Sequence, residues 1–143
     1  MTTETILQIE TSLDDCSPQV VGYVLERALE LGALDAYALA AQMKKHRPGV
    51  VLTLLARPER RDVLVELLLR ETPTLGVRIL ACERVVLERA QATVATPFGP
   101  IQVKAAGDKA APEYDDCRAA ARRHGVPLRQ VMDAALAAWR RQS

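Results

Sequence analysis

Soft-metal ligands are scarce in this chain, which has three cysteines (Cys16, Cys82, Cys117) and two histidines (His46, His124) in 143 residues. An odd number of widely spaced cysteines leaves no disulfide framework and no CxxC zinc site. With so few ligands, an all-protein site for a soft metal is not expected. Aromatic residues are only 3%, too few for the base-stacking platform of most single-strand binders. The formal net charge of +1 argues against a duplex-binding protein, so no nucleic-acid partner is expected. No apolar run approaches the ~18 residues of a membrane span. Residues 1–10 also lack the basic-then-apolar order of a signal peptide. These absences lead to the expectation of a cytoplasmic protein with no membrane partner.

What is present fits a folded globule: 49% apolar and 26% charged residues. Its length suits one domain over 1–143, and no linker or repeat divides it. Thr5 to Glu10 reads as a strand. Ser17-Pro18 opens a helix, with Ser17 as cap and Pro18 in the first helical position. Val20, Val21, Val24, Leu25, Ala28 and Leu29 follow at helical spacing, before Gly32. Leu34 to Met43 and Val50 to Ala56 read as strands joined by the turn Lys44-Lys45-His46-Arg47-Pro48-Gly49. Pro58 starts a second helix striped by Val63, Leu64, Leu67 and Leu68, which Pro73 and Gly76 end. Val77 to Thr96 is extended, as one long strand or as a strand pair broken near Cys82. The Pro97-Phe98-Gly99-Pro100 turn folds it back on Ile101 to Ala105. Helices from Pro112 and Pro127 complete the chain. The order β-α-β-β-α-β predicts an α+β ferredoxin-like sandwich with an added hairpin strand and two C-terminal helices.

Three segments carry groups suited to chemistry. Glu10-Thr11-Ser12-Leu13-Asp14-Asp15 places three carboxylates beside a helix start, where Glu10, Asp14 and Asp15 offer hard oxygen ligands to magnesium or manganese. That helix end also offers N–H groups to an anion. The competing reading makes Asp14 or Asp15 a helix cap. Lys44, Lys45 and Arg47 concentrate positive charge in one turn, and Gly49 permits close backbone approach to a phosphate. The competing reading is a solvated hairpin. Acidic and basic loops in one small domain favour a metal-bound polyphosphate, although no GxxxxGK[ST] loop is present. In Pro112-Glu113-Tyr114-Asp115-Asp116-Cys117 the acids suit the positive end of a helix, and Cys117 suits a core position.

Taken together, Glu10–Gln19, Gln42–Gly49, Glu71–Arg78 and Pro112–Cys117 resemble the C-terminal domain of the LarC nickel-insertion family. Ser12, Cys16, Gln19 and Pro73 stand where that family more usually has asparagine, methionine, glutamate and threonine. The resemblance implies a domain that binds CTP with manganese or magnesium. It would support CTP-dependent nickel insertion into pyridinium-3,5-bisthiocarboxylic acid mononucleotide, giving the nickel-pincer cofactor. Under it, Glu10, Asp14 and Asp15 would hold the metal, while Lys44, Lys45, Arg47 and Gly49, with Arg78 and Lys104, would meet the triphosphate. It also implies a homo-oligomer and a partner chain supplying the nickel-binding N-terminal half. No catalytic residue or general base is assigned, and complete activity from this chain alone is not expected. The alternative is a non-catalytic ferredoxin-like module that senses a ligand or binds a partner.

Overall fold

Alternation makes the first strand, β1 (Thr2–Leu13), two-faced: Ile9, Thr11 and Leu13 are buried, while Gln8, Glu10 and Ser12 lie on the opposite face. In the computed structural model, which describes residues 1–142, this strand belongs to a compact unit formed by Thr3–Val85. The unit continues with α1 (Pro18–Glu30), β2 (Asp35–Gln42), β3 (Pro48–Ala56), α2 (Arg61–Glu71) and β4 (Arg78–Val86). Its sheet order is β2-β3-β1-β4, and both β1 and β2 run antiparallel to β3. Val21, Val24 and Ala28 of α1 and Leu64, Leu67 and Leu68 of α2 cover one face, packed on Ile9, Leu13, Leu52, Leu54 and Ala56. This is the predicted ferredoxin-like sandwich. Ser17 caps α1 as expected, its Oγ accepting from the Gln19 N–H at 3.3 Å.

Boundaries differ where pairing outlasts the polarity signal. Thr11↔Leu52 and Leu13↔Val50 carry β1 past Glu10, so only Asp14 and Asp15 of the acidic segment lie beyond the strand. Gln42↔Pro48 and Ala41↔Gly49 likewise bring Pro48 and Gly49 into β3. Pro58 opens a single 3-10 turn rather than α2 itself.

The second compact unit joins Met1–Thr2 to the chain from Val86 onward. It comprises β5 (Ala90–Thr96), β6 (Gly99–Ala106), β7 (Lys109–Pro112), α3 (Tyr114–His124) and α4 (Leu128–Gln142). The hairpin expected as an added strand pairs here in a separate sheet, β5-β6-β7. The extended run breaks at Leu87-Glu88-Arg89 rather than near Cys82. β7 escapes the sequence because its Lys109-Ala-Ala-Pro112 lacks the branched and aromatic residues that mark strands. Pro112 closes that strand instead of opening the helix. Val94, Ile101 and Val103 pack with Cys117, Ala120, Val131, Ala135 and Ala138 in a core of their own. Val131 and Ala135 of α4 are buried in that core, and Leu128, Met132 and Trp139 pack half-buried against it.

Among the described residues, no helix is long and apolar enough to cross a membrane.

Candidate functional site

Three of the four sequence segments meet at one end of the first unit. Leu13↔Val50 and Gln42↔Pro48 set the β1–α1 loop beside the β2–β3 turn. On the other side of β1, the Thr11 and Thr74 hydroxyls lie 2.6 Å apart and join the α2–β4 loop to the strand. Across the end of the sheet the order is therefore basic turn, acidic loop, threonine loop.

The basic turn is held open by its backbone. Met43 N–H donates to the Arg47 carbonyl at 2.8 Å, and Arg47 N–H to the Lys44 carbonyl at 3.3 Å. Lys45 (φ 58°) and His46 (φ 59°) are both left-handed, a conformation costing about 1–2 kcal/mol for a residue with a side chain. Lys44, Lys45 and His46 are exposed. The Lys44 and Lys45 ammonium groups make no ion pair among the described residues. Arg47 reaches back to Asp14, Nη1 to Oδ2 at 3.4 Å. The missing side chain of Gly49 serves the fold itself, since a Cβ there would lie 2.4 Å from the Leu13 carbonyl oxygen and 2.7 Å from the Met43 sulfur.

The carboxylates separate into two groups. Asp14 and Asp15 lie in the loop, and Ser17 rather than either acid caps α1. Glu10 sits back on β1, where Arg78 Nε donates to it at 3.0 Å and Gln8 at 3.1 Å, while Arg78 Nη2 donates to Ser12 at 3.1 Å. The Arg78 guanidinium first, and the Gln8 amide second, hold the Glu10 carboxyl below its ordinary range. Among the described residues no three His, Cys, Asp or Glu side chains gather to hold a metal ion. Asp14 and Asp15 together offer hard oxygens for an ion that keeps its other ligands elsewhere. Ions such as magnesium do so, taking one or two carboxylates plus phosphate oxygens.

Cys16 is half-buried beneath this loop, and burial, then Asp15, pushes its thiol up. Cys117 is fully buried in the second core and its thiol is raised by burial, as its reading as a core residue implies. Lys104 belongs to the second unit, on β6, where its ammonium pairs with Glu113 at 2.7 Å. A cavity of about 430 Å³ lies at the other end of the first unit, lined by Gly32, Arg57, Glu59 and Arg60. None of the predicted site residues lines it.

Sequence reasoning included the threonine loop in the Glu71–Arg78 segment but gave its threonines no role. Thr72 Oγ1 donates to the Leu68 carbonyl at 2.7 Å, and Thr74 Oγ1 to the Gly76 carbonyl at 2.8 Å. The spacing of Thr11 and Thr74 in the chain does not reveal that their hydroxyls meet.

A profile of the nickel insertion protein family matches residues 1–132. The chain belongs to the nickel insertion protein family. The pyridinium-3,5-bisthiocarboxylic acid mononucleotide nickel insertion protein of Acetivibrio thermocellus is 45% identical, over 90% of this chain and 33% of that protein. The protein of the same name from Lactiplantibacillus plantarum is 42% identical, over 96% of this chain and 34% of that protein. The chain thus spans about a third of the length of these nickel insertion proteins. A solved structure of LarC2, the C-terminal domain of a cyclometallase involved in the synthesis of the NPN cofactor of lactate racemase, superposes with a TM-score of 0.91. It is 42% identical, and the match covers 96% of this chain and 98% of that domain. Protein MK0293 from Methanopyrus kandleri shares the fold alone, at a TM-score of 0.63 and 23% identity, over 95% of this chain and 89% of that one.

Proposed function

We propose that this member of the nickel insertion family is the part of a cytoplasmic system that binds CTP with manganese or magnesium. Its role is to support CTP-dependent nickel insertion into pyridinium-3,5-bisthiocarboxylic acid mononucleotide. The observation that carries the reading is the adjacency of an acidic loop and a basic turn at one end of the sandwich, joined through Asp14 and Arg47. Lys44, Lys45 and Arg47 neutralise the triphosphate, Lysines as compact charges and arginine as a two-pronged donor. Asp14 and Asp15 take the ion that the triphosphate brings, which spreads phosphate charge and orients the chain of phosphates. Glu10, engaged by Arg78, keeps that guanidinium in place rather than binding the ion directly. Nickel is cargo, supplied by a partner chain carrying the nickel-binding half, and the working form is a homo-oligomer.

Isothermal titration tests this. CTP with manganese should release heat, and chelating the metal should abolish it. Lys45→Ala and Arg47→Ala should each weaken binding by about 1.5–3 kcal/mol, the worth of a hydrogen bond to a charged group, with unchanged melting. Metal-independent binding of CTP, or normal binding by both variants, would refute the reading.

A further inference from the structure

We propose that the β5-β6-β7 sheet carries a phosphate-monoester site on the face turned away from its core, with Arg89, Lys104 and Lys109 as its three cations. The site belongs wholly to the second unit and stands apart from the CTP reading of the first.

Strand register brings the three together. Val94, Ile101 and Val103 point into the second core, so the alternate residues Gln91, Thr93, Gln102 and Lys104 take the other face. On that face Lys104 lies between Gln91 and Ala111, and Ala106 is opposite Lys109. Continued by one residue, the β5–β6 register sets Arg89 on the other side of Ala106. Arg89 and Lys109 thus flank one alanine across two strand spacings, about 10 Å. Lys104 stands two residues back along β6, about 7 Å from that alanine. Ala106 and Ala111 form a floor too short to fill the space among three long side chains. A cavity of about 210 Å³ lies there, lined by Arg89, Lys104, Lys109 and the alanines of β6 and β7.

The charges around this cavity do not cancel. Glu113 holds Lys104 at 2.7 Å, whereas Arg89 and Lys109 have no hydrogen-bond or ion-pair partner among the described residues. The neighbouring acids leave them unanswered. Glu88 faces the N-terminal amine at 3.8 Å, and Asp108, in the β6–β7 turn, pairs with neither cation. Like charges on neighbouring positions of a sheet repel, so the chain alone gains nothing from this grouping. Three positive charges against the single carboxylate of Glu113 leave an excess of two. A phosphate monoester near neutral pH carries about 1.5 to 2 negative charges, which matches that excess.

Each group suits that guest. Arg89 offers two parallel N–H donors to a pair of phosphate oxygens, and Lys109 is a compact charge for a third. Lys104 divides its donors between Glu113 and the ligand. The alanine floor lets the phosphate settle among the cations and gives the esterified carbon an apolar surface to rest on. The alanines of β7 thereby gain a use beyond strand pairing, since a larger residue at Ala111 would fill the cavity. Lys104, grouped by the resemblance with the triphosphate contacts, lies instead with two cations of its own unit. Inorganic phosphate and the phosphate of a mononucleotide share this chemistry, and the experiment separates them.

The experiment follows the backbone amides of the isotope-labelled chain by NMR at physiological ionic strength, adding inorganic phosphate or a pyridinium mononucleotide, nicotinic acid mononucleotide. Saturable shifts should centre on Arg89, Lys104, Ala106 and Lys109. Arg89→Gln and Lys109→Gln should each weaken binding about tenfold, the loss of one charge-assisted contact. Both should melt like the wild type, since neither side chain holds a partner in the chain. Glu113→Gln should act in the opposite direction and tighten binding, because it frees Lys104. Ala111→Leu fills the cavity without changing any charge and should abolish binding of both ligands. Tighter binding of the mononucleotide assigns the site to nucleotides, and equal binding assigns it to free phosphate. Shifts that never saturate, that spread equally to Arg129 and Arg140, or that persist in both glutamine variants and in Ala111→Leu overturn the site. None of these outcomes bears on the CTP reading, which the manganese titration decides separately.

Discussion

Gly49 is a glycine that the fold itself requires. At Gly49 the backbone of Leu13 passes too close for any side chain, with a Cβ position 2.4 Å from its carbonyl oxygen. Gly49→Ala must push β1 and β3 apart, so it should destabilise the first unit by about 1–3 kcal/mol, the usual range for overpacking. Urea denaturation would show this as a lower midpoint. The sequence reading assigned Gly49 to phosphate approach because a glycine next to basic residues looks the same whether its neighbour is a ligand or a strand. The two left-handed residues Lys45 and His46 were equally invisible, since a positive φ is uncommon for any residue other than glycine, even for histidine, which is enriched there.

At the scale of elements, two polar contacts do work that composition did not reveal. The Arg78–Glu10 pair ties β4 to β1. Since Glu10 is held below its ordinary value of 4.5, its folded value lies under its unfolded one. Its contribution to stability is therefore present above the unfolded value and lost as pH falls through the folded one. The stability gap between wild type and Arg78→Ala should accordingly narrow on acidification from about pH 6 to about pH 3, measured as urea midpoints. In the second unit, Asp116 Oδ2 accepts the Gln102 N–H at 2.9 Å, and Glu113 N–H donates to the Gln102 carbonyl at 2.7 Å. The start of α3 thus extends the β6 ladder beyond Pro112, where β7 ends. Charge at a helix start accounts for Asp115; Asp116 has this further task. Asp116→Ala should cost roughly 1–2 kcal/mol and speed hydrogen exchange at the Gln102 amide. Elements with strong periodicity, β1, α1, β3 and α4, were legible in the sequence. Alanine-rich β7 was not, because its strand state comes from pairing with β6 and not from its own residues.

For the whole molecule, there are two hydrophobic cores, one in each compact unit. The homo-oligomer was expected from the resemblance, and Val131, Ala135 and Ala138 of α4 are buried in their own unit. Exposed apolar residues lie instead on the helix-free face of the four-stranded sheet, where Leu39 is 59% and Leu80 53% exposed. If copies associate, that face is where they meet. Light scattering should give a multiple of 15.7 kDa, and Leu39→Glu with Leu80→Glu should return it to the single-chain mass. A wild type already at that mass would remove the oligomer from the proposal.

The contact between Arg47 and Asp14 has a consequence for selectivity. At rest each charge answers the other, so the end of the sandwich is locally close to neutral. A bare cation approaching Asp14 must leave the guanidinium without its counterion, and a bare anion approaching Arg47 must strand the carboxylate. A guest that brings both signs at once can take over both halves of the pair. Under the proposed function, this pair favours a preassembled metal–phosphate salt over its separate ions through a partner exchange at the surface.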